Sequence, residues 1–190
     1  MLKQELRKIY KQKRLALSAT ERLKSDDLML IQLQRLSFAN NINVVMTFWP
    51  LESHAEVNTH LYTRYLEVAV PDVKVAFPVI DFSKDEMNAV LVDDQTEFVK
   101  NRYGIAEPVK GETVEPDEID VVFVPLLAYD HNGYRVGYGK GYYDRFLKHC
   151  REDVITVGFS YFEAVDKIAD TSHFDVPLNY CITPRKIYEF

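Results

Sequence analysis

The sequence contains little cysteine and no recognisable metal-binding pattern of histidines. Its 190 residues include only two cysteines, Cys150 and Cys181, and five scattered histidines. The cysteines lack the paired spacing of a metal site, and a chain of this length needs no disulfide framework. The histidines lack the H-x-x-x-H spacing of zinc enzymes. These absences exclude a zinc enzyme and a disulfide scaffold, and we expect a protein of the reducing cytoplasm.

Long apolar runs and an excess of positive charge are also missing. No run approaches the roughly 20 apolar residues that a membrane helix needs, and residues 1–5 lack the apolar core of a secretory signal. The net charge is −6, which disfavours binding to nucleic acid or to a membrane surface. We therefore expect neither nucleic acid nor a membrane as a partner. We also expect a monomer.

Apolar strands alternate with amphipathic helices along most of the chain. The patterns predict helices at 2–17, 18–36, 58–69 and 141–150, and strands at 44–49, 73–79, 89–92, 121–124, 154–159 and 180–183. This alternation predicts a three-layer α/β/α, Rossmann-like fold with a mainly parallel sheet. The length predicts a single domain over 1–190. The acidic stretch 112–120 is predicted to be a solvated loop.

Glycine is scarce, yet three of the seven glycines fall within five residues. Gly137, Gly139 and Gly141 alternate, with Lys140 between the last two. Glycines at this density let successive backbone N–H groups converge on an anion, and the helix predicted to follow adds free N–H groups. Lys140 adds a positive charge, and Asp144 offers the carboxylate that Mg²⁺ prefers. The segment therefore indicates a phosphate site with a metal beside it.

Two familiar phosphate motifs do not fit this segment. The P-loop needs serine or threonine after its lysine, and Gly141 stands there instead. The dinucleotide fingerprint needs G-x-G-x-x-G, whereas the spacing is G-x-G-x-G. A plain strand-to-helix turn with a surface lysine is the alternative.

The segment from Asn132 to Asp144 resembles the signature of the 5-formyltetrahydrofolate cyclo-ligase family, also called 5,10-methenyltetrahydrofolate synthetases, which runs roughly N-R-L-G-R-G-K-G-Y-Y-D. Tyr138 stands where the family usually has arginine. Four further segments are similar to family patterns, in the right order, and cover nearly the whole chain: residues 3–7 (K-x-x-L-R), 50–59 (P-L…E-V-x-T), 103–108 (aromatic-G-I-P-E-P, with Ala106 for proline) and 175–179 (D-V-P-L-D, with Asn179 for the last aspartate).

The resemblance implies cyclisation of 5-formyltetrahydrofolate to 5,10-methenyltetrahydrofolate, with ATP as co-substrate and Mg²⁺ as cofactor. The formyl oxygen attacks the γ-phosphate, and N10 then closes on the carbon of the resulting imidate phosphate as phosphate leaves. Such chemistry depends on positioning and charge neutralisation. The resemblance implies catalytic roles for Lys140, Arg135 and Tyr143, and contacts with ATP for Lys3, Arg7, Arg135, Gly137, Gly139, Lys140, Gly141 and Tyr142.

The resemblance also implies a folate side and a metal side of the site. Glu56 would accept two parallel hydrogen bonds from the pterin edge, and the folate contacts would be Leu51, Glu56, Tyr103 and Tyr143. Asp144 would bind Mg²⁺, and the second ligand is either Asn179, through its carbonyl oxygen, or Asp175. Arg14 falls within about 40° of the stripe of Lys3 and Arg7 on the first helix, and we interpret it as solvated.

Three other interpretations remain open. The first is a different enzyme on a similar fold, such as a sugar-phosphate isomerase or a CoA transferase, which would not need the basic stripe or Asp144. The second is a folate- or nucleotide-binding relative without catalytic activity, which the residues Tyr138 and Asn179 allow. The third is an RNA-binding module, which the net charge of −6 disfavours.

Overall fold

The computed structural model describes residues 1–36 and 42–190. The α-helices in this part are α1 (Lys3–Ala16), α2 (Ala19–Leu33), α3 (Thr59–Ala69) and α4 (Tyr142–Leu147), with 3₁₀ turns at Glu52–His54 and Pro116–Glu118. The strands are β1 (Val44–Met46), β2 (Lys74–Asp81), β3 (Glu86–Val92), β4 (Phe98–Lys100), β5 (Ala106–Pro108), β6 (Thr113–Val114), β7 (Val121–Val124), β8 (Ala128–Tyr129), β9 (Arg135–Val136), β10 (Ile155–Phe159), β11 (Tyr180–Ile182) and β12 (Ile187–Glu189).

Eight of these strands form one sheet in the order β12-β11-β10-β7-β1-β2-β3-β6. The five central strands, from β11 to β2, pair in parallel. Antiparallel strands extend the sheet at both edges, with β12 beside β11 and with β3 and β6 beyond β2. Two separate hairpins, β4–β5 and β8–β9, lie outside this sheet. The prediction of a mainly parallel sheet is confirmed.

Alternate side chains of the central strands enter two different apolar clusters. Val45, Val121 and Phe123 pack with residues of α2 and α3, namely Met29, Leu33, Tyr62 and Leu66. Met46, Val122 and Val124 belong to the cluster that includes Phe146 and Leu147 of α4. Both faces of the sheet are therefore covered, as the continuous apolar runs of buried parallel strands require. The three-layer α/β/α arrangement is confirmed.

Local capping signals set the starts of the helices. Ser18 and Glu21 form the expected capping box at α2, and the side chain of Asn58 accepts a hydrogen bond from the Leu61 N–H at the start of α3. The ends are less regular: α2 ends at Leu33 and α4 at Leu147, each a few residues before the predicted end. In the described residues no helix is both long and apolar enough to span a membrane.

Helix α1 packs on the β8–β9 hairpin. Its buried residues Leu6 and Tyr10 share a cluster with hairpin and loop residues, namely Leu127, Ala128, Val136 and Ile168. This docking brings the basic face of α1 to the glycine segment, residues 137–141, which follows β9. The short strands of the hairpin were not predicted.

Candidate active site

A cavity of about 490 Å³ opens where the parallel strands β1, β2 and β7 end. Ligands of parallel sheets bind at this carboxyl edge. Its wall includes the apolar side chains of Phe48, Trp49, Pro78, Ile80, Met87 and Ile105. It also includes fourteen of the fifteen predicted site residues: Lys3, Arg7, Leu51, Glu56, Tyr103, Arg135, Gly137, Gly139, Lys140, Gly141, Tyr142, Tyr143, Asp144 and Asp175.

The glycine segment has the backbone conformation that its glycines suggest. Gly139 and Gly141 have φ values of +91° and +70°, which side chains with a Cβ rarely adopt. Arg7 lies against this segment, and its Nε donates a hydrogen bond of 2.9 Å to the Gly137 carbonyl. A Cβ on Gly139 would lie 3.3 Å from Cζ of Arg7. The segment and the arginine therefore lie so close that a methyl group between them would force the guanidinium to shift.

Lys3 reaches the same cavity from the start of α1 and pairs with Asp175. Its Nζ lies 2.5 Å from Asp175 Oδ1, and Oδ2 accepts a 2.6 Å hydrogen bond from the Ser172 N–H. Partial burial acts to raise the pKa of Asp175, but the contacts with Lys3 and Ser172 outweigh it and lower that pKa. Asp175 is therefore a charged carboxylate held at the cavity wall.

Asp144 forms an ion pair with Arg135. Arg135 Nη2 lies 3.0 Å from Asp144 Oδ1, and the same oxygen accepts a 3.0 Å hydrogen bond from the Val176 N–H. Burial lowers the pKa of Arg135, and the charge of Asp144 offsets part of that effect. Both of these hydrogen bonds use Oδ1 of Asp144, so Oδ2 carries no hydrogen bond from the described residues and can bind a cation.

Lys140 is exposed and forms no ion pair with any residue that the structure describes. Its Nζ lies 5.7 Å from the centre of the Tyr103 ring across the cavity mouth. A lysine with this freedom can move to neutralise an incoming anion.

Tyr143, at the start of α4, supplies a further polar group to the cavity. Within the described residues its buried hydroxyl has no hydrogen-bond partner. Burial raises the pKa of this tyrosine, so the hydroxyl keeps its proton. A buried hydroxyl without a partner costs free energy unless a ligand supplies one. Tyr143 is therefore a donor available to a bound substrate.

Glu56 lies on the other side of the cavity, directly after the 3₁₀ turn that follows β1. Its side chain is only 4% exposed. Oε2 accepts a 2.8 Å hydrogen bond from the Leu51 N–H, and Oε1 accepts one from the Tyr138 hydroxyl. Burial raises the pKa of Glu56, while these two hydrogen bonds and the charge of Arg14 offset part of the rise.

The interpretation of Arg14 as a solvated residue is wrong. Its side chain is 6% exposed and donates to the carbonyls of His54 at 2.7 Å and Leu126 at 3.1 Å, and to the Tyr138 hydroxyl. The sequence did contain a signal for this location, because Arg14 lies on the same helical face as Lys3 and Arg7, and residues on one face meet the same neighbours. The sequence also did not assign Tyr138, His54 and Glu107 to the site, although all three line the cavity.

Asn179 is the one predicted site residue that does not line the cavity. Its side-chain carbonyl accepts hydrogen bonds from the N–H and the hydroxyl of Thr156, at 2.7 and 2.8 Å. It directly precedes β11, so it lies at the amino end of the parallel strands, away from the carboxyl edge that carries the glycine segment. Its role as a metal ligand is therefore corrected, and Asp175 is the candidate second carboxylate.

The donor set at the cavity suits a magnesium–phosphate complex better than a metal cage built from protein alone. No cluster of three or more histidine, cysteine or acidic residues able to hold a metal occurs in residues 1–36 and 42–190. Mg²⁺ is commonly held by one or two carboxylates together with phosphate oxygens and water. Asp144 and Asp175 provide two carboxylates beside the glycine segment.

Known proteins resemble this chain over nearly its whole length. The model of the 5-formyltetrahydrofolate cyclo-ligase family matches residues 1–184. A 5-formyltetrahydrofolate cyclo-ligase of Mus musculus is 30% identical over 160 residues, which cover 78% of this chain and 74% of the relative. The cyclo-ligase of Mycoplasma pneumoniae is 28% identical over 186 residues, which cover 96% and 98%.

Solved structures agree with the sequence comparisons. The NMR structure of Aquifex aeolicus 5,10-methenyltetrahydrofolate synthetase has a TM-score of 0.82 and 31% identity, covering 100% of this chain and 93% of that one. A 5,10-methenyltetrahydrofolate synthetase from Mycoplasma pneumoniae has a TM-score of 0.74 and 26% identity, covering 97% and 99%. Because the family model spans nearly the full length and the relatives share the fold that builds this cavity, the chain belongs to the 5-formyltetrahydrofolate cyclo-ligase family.

Proposed function

We propose that this enzyme converts 5-formyltetrahydrofolate to 5,10-methenyltetrahydrofolate and couples the reaction to cleavage of ATP to ADP and phosphate. One observation carries the proposal: a single cavity has two chemically different sides. One side is cationic and lined by glycines, and the other carries the buried Glu56 carboxylate, whose oxygens keep free acceptor positions. The first side suits a polyphosphate and the second suits a pterin. Family membership supports the same reaction.

The nucleotide side combines backbone and side-chain contacts. Residues 137–141 offer a glycine-rich backbone that can approach phosphate oxygens closely. Lys3, Arg7 and Lys140 line the same side of the cavity and bring three positive charges. Lys3 is paired with Asp175, so a bound phosphate would compete with that carboxylate for the lysine. Mg²⁺ between the phosphates and Asp144 or Asp175 would neutralise the negative charge that builds up during transfer.

The folate side follows from the hydrogen bonds of Glu56. An ionised carboxylate has about four lone-pair positions, two on each oxygen. Tyr138 uses one on Oε1 and Leu51 uses one on Oε2. One acceptor position is therefore left on each oxygen, which is what the paired N–H groups along the edge of a pterin need. Leu51 and Tyr103 line the same cavity and offer flat or apolar contact to the rings.

The chemistry requires no covalent bond to the protein. The formyl oxygen attacks the γ-phosphorus and ADP leaves, which gives an imidate phosphate. The N10 nitrogen then bonds to the activated carbon and releases its proton, and phosphate leaves with the former formyl oxygen. Lys140, Arg135 and the Tyr143 hydroxyl are the donors at hand for the transferring phosphate and for the polarised formyl oxygen. Their role is positioning and charge stabilisation.

The test is a direct assay of product formation. Purified protein is mixed with 5-formyltetrahydrofolate, ATP and Mg²⁺, and absorbance of the methenyl product is followed while ADP and phosphate are measured. We expect all three products in equal amounts, and none when ATP is omitted or Mg²⁺ is chelated. Binding of 5-formyltetrahydrofolate and ATP without product would favour a non-catalytic relative. Product without ADP would contradict the proposed coupling.

A further inference from the structure

Tyr138 connects two buried charged groups of opposite sign at the cavity wall. Its hydroxyl accepts a hydrogen bond from Arg14 Nη2 and donates one to Glu56 Oε1. A phenol hydroxyl can do both at once because it has one proton and two lone pairs. Arg14 itself lies 4.0 Å from Glu56 Oε1, which is too far for a direct hydrogen bond. The three side chains therefore form a chain in the order Arg14–Tyr138–Glu56.

We propose that Arg14 and Tyr138 are positioning residues that hold the Glu56 carboxylate ionised and aimed into the cavity, with the Tyr138 hydroxyl carrying the influence of the Arg14 charge to Glu56 Oε1. The proposal rests on the proposed function in taking Glu56 as the group that binds folate.

Glu56 needs such support because its environment favours the wrong protonation state. A side chain that is 4% exposed has lost most of its hydration, and an unsupported carboxylate there would take up a proton. A protonated Glu56 would present an O–H to the pterin where an acceptor is required. Burial does raise the pKa of Glu56, and the hydrogen bond from Tyr138 is the largest of the effects that oppose the rise.

Arg14 is fixed so that its charge stays at this position. Its Nε and Nη1 are bound to the carbonyls of His54 and Leu126, which leaves Nη2 to Tyr138. The Tyr138 ring also packs edge-on against the His54 ring, with 5.4 Å between centres. The hydroxyl is therefore held from two directions before any ligand arrives, which is the preorganisation that a binding carboxylate needs.

The groups around Glu56 come from several elements. Arg14 comes from α1, His54 from the 3₁₀ turn, Tyr138 from the glycine segment, Tyr143 from α4, and Tyr161 donates to the Glu56 backbone carbonyl. Of these, His54 is the residue that titrates in the acidic range, because burial lowers its pKa. The test must therefore separate His54 from Glu56.

The primary test measures the Glu56 carboxyl directly in the ligand-free protein. The side-chain carboxyl carbons are titrated by NMR, and E56Q identifies the Glu56 signal by its loss. Y138F keeps the ring and removes the hydroxyl, so we expect a folded protein with a higher Glu56 pKa than the natural one. Y138R supplies a charged donor in place of the phenol, so we expect it to restore a lower pKa. The same comparison in an H54Q background removes the effect of His54 titration on the measured Glu56 pKa.

The contribution of Arg14 is read from a double-mutant cycle. R14M should raise the Glu56 pKa in the natural background and should raise it less in the Y138F background, because the connecting hydroxyl is already gone. Equal effects in both backgrounds would show that Arg14 does not act through Tyr138. If R14M does not fold, because Arg14 also binds two carbonyls, the comparison of Y138F with Y138R decides alone.

The functional readout is the pH dependence of 5-formyltetrahydrofolate binding without ATP. Binding should weaken as the pH falls through the Glu56 pKa, and in Y138F this weakening should begin at a higher pH. E56Q provides the reference for the ligand's own ionisation. A Glu56 pKa that is the same in Y138F and the natural protein overturns the inference, whatever binds in the cavity. An altered pKa in a protein that does not bind 5-formyltetrahydrofolate supports the three-residue coupling and overturns the folate assignment.

Discussion

Replacing Gly139 with alanine tests whether the glycine segment and Arg7 act together in binding ATP. The added Cβ would lie 3.3 Å from Cζ and 3.4 Å from Nε of Arg7, so the guanidinium must shift by a few tenths of an ångström. Gly104 provides a matched control: its φ is +78°, close to the +91° of Gly139, but a Cβ there meets nothing within 4 Å. The two substitutions share the backbone strain and differ in the contact with Arg7.

The two variants should lose similar stability. A residue with a Cβ in the left-handed region costs about 1–2 kcal/mol, which corresponds to a fall in Tm of roughly 2–8 °C for a chain of this size. Only Gly139→Ala should also weaken the binding of ATP. Partial loss of an arginine–phosphate contact, worth about 1.5–3 kcal/mol when intact, corresponds to roughly a tenfold rise in the Kd for ATP.

Thermal unfolding with and without Mg-ATP measures both effects in one experiment. A ligand at 100 times its Kd stabilises by about 2.7 kcal/mol, and a tenfold weaker ligand at the same concentration stabilises by about 1.4 kcal/mol. We therefore expect ATP to raise the Tm of Gly104→Ala as much as that of the natural protein, and to raise that of Gly139→Ala about half as much. Equal ATP stabilisation of the two variants would refute the assignment of this surface to the nucleotide.

Three further predictions concern individual side chains. Lys140→Ala should lower turnover by orders of magnitude with a nearly unchanged Tm, because exposed residues contribute little to stability. Lys148→Ala is the control, because Lys148 is an exposed lysine outside the cavity. Full activity of a folded Lys140→Ala variant would contradict the catalytic role of Lys140. Glu56→Gln should weaken folate binding by about 1–3 kcal/mol with ATP affinity intact in calorimetry, and equal losses for both ligands would mean a misassigned site. Asp144→Asn should raise the Mg²⁺ concentration for half-maximal activity, whereas Asn179→Asp should not change it; a shift with Asn179→Asp would return that residue to the metal site.

The sequence predicts those parts of the fold whose signals are local. The strand at 121–124 is confirmed because a short apolar run of a buried parallel strand carries its own signal, and the helix that follows Ser18 is confirmed by its capping box. The stretch 112–120 was wrongly predicted to be a solvated loop, since it contains β6 and the buried residues Val114 and Ile119. A two-residue strand has no periodicity of its own and exists only through its partner strand.

The sequence predicts which charged residues lie at the site better than it predicts which residues they contact. Lys3 and Arg7 lie at the cavity as predicted, because a motif on one helix keeps its spacing in the fold. Arg14 was misinterpreted because its burial depends on Leu126 and Tyr138, more than one hundred residues along the chain. Asn179 was misplaced for a related reason, since its partner Thr156 lies 23 residues earlier and no local pattern records that pairing.

The docking of α1 has a consequence for how the chain is made. The helix that carries Lys3, Arg7 and Arg14 is synthesised well before some of the residues that its apolar face packs against, which extend to Ile168. At roughly 5–20 residues per second, the intervening stretch of about 160 residues takes on the order of 10–30 s to synthesise. A lone helix of 14 residues is marginal in water, so this segment fluctuates with its apolar face uncovered throughout that interval. The cationic side of the cavity is therefore complete only after both helix α1 and the much later glycine segment have been translated.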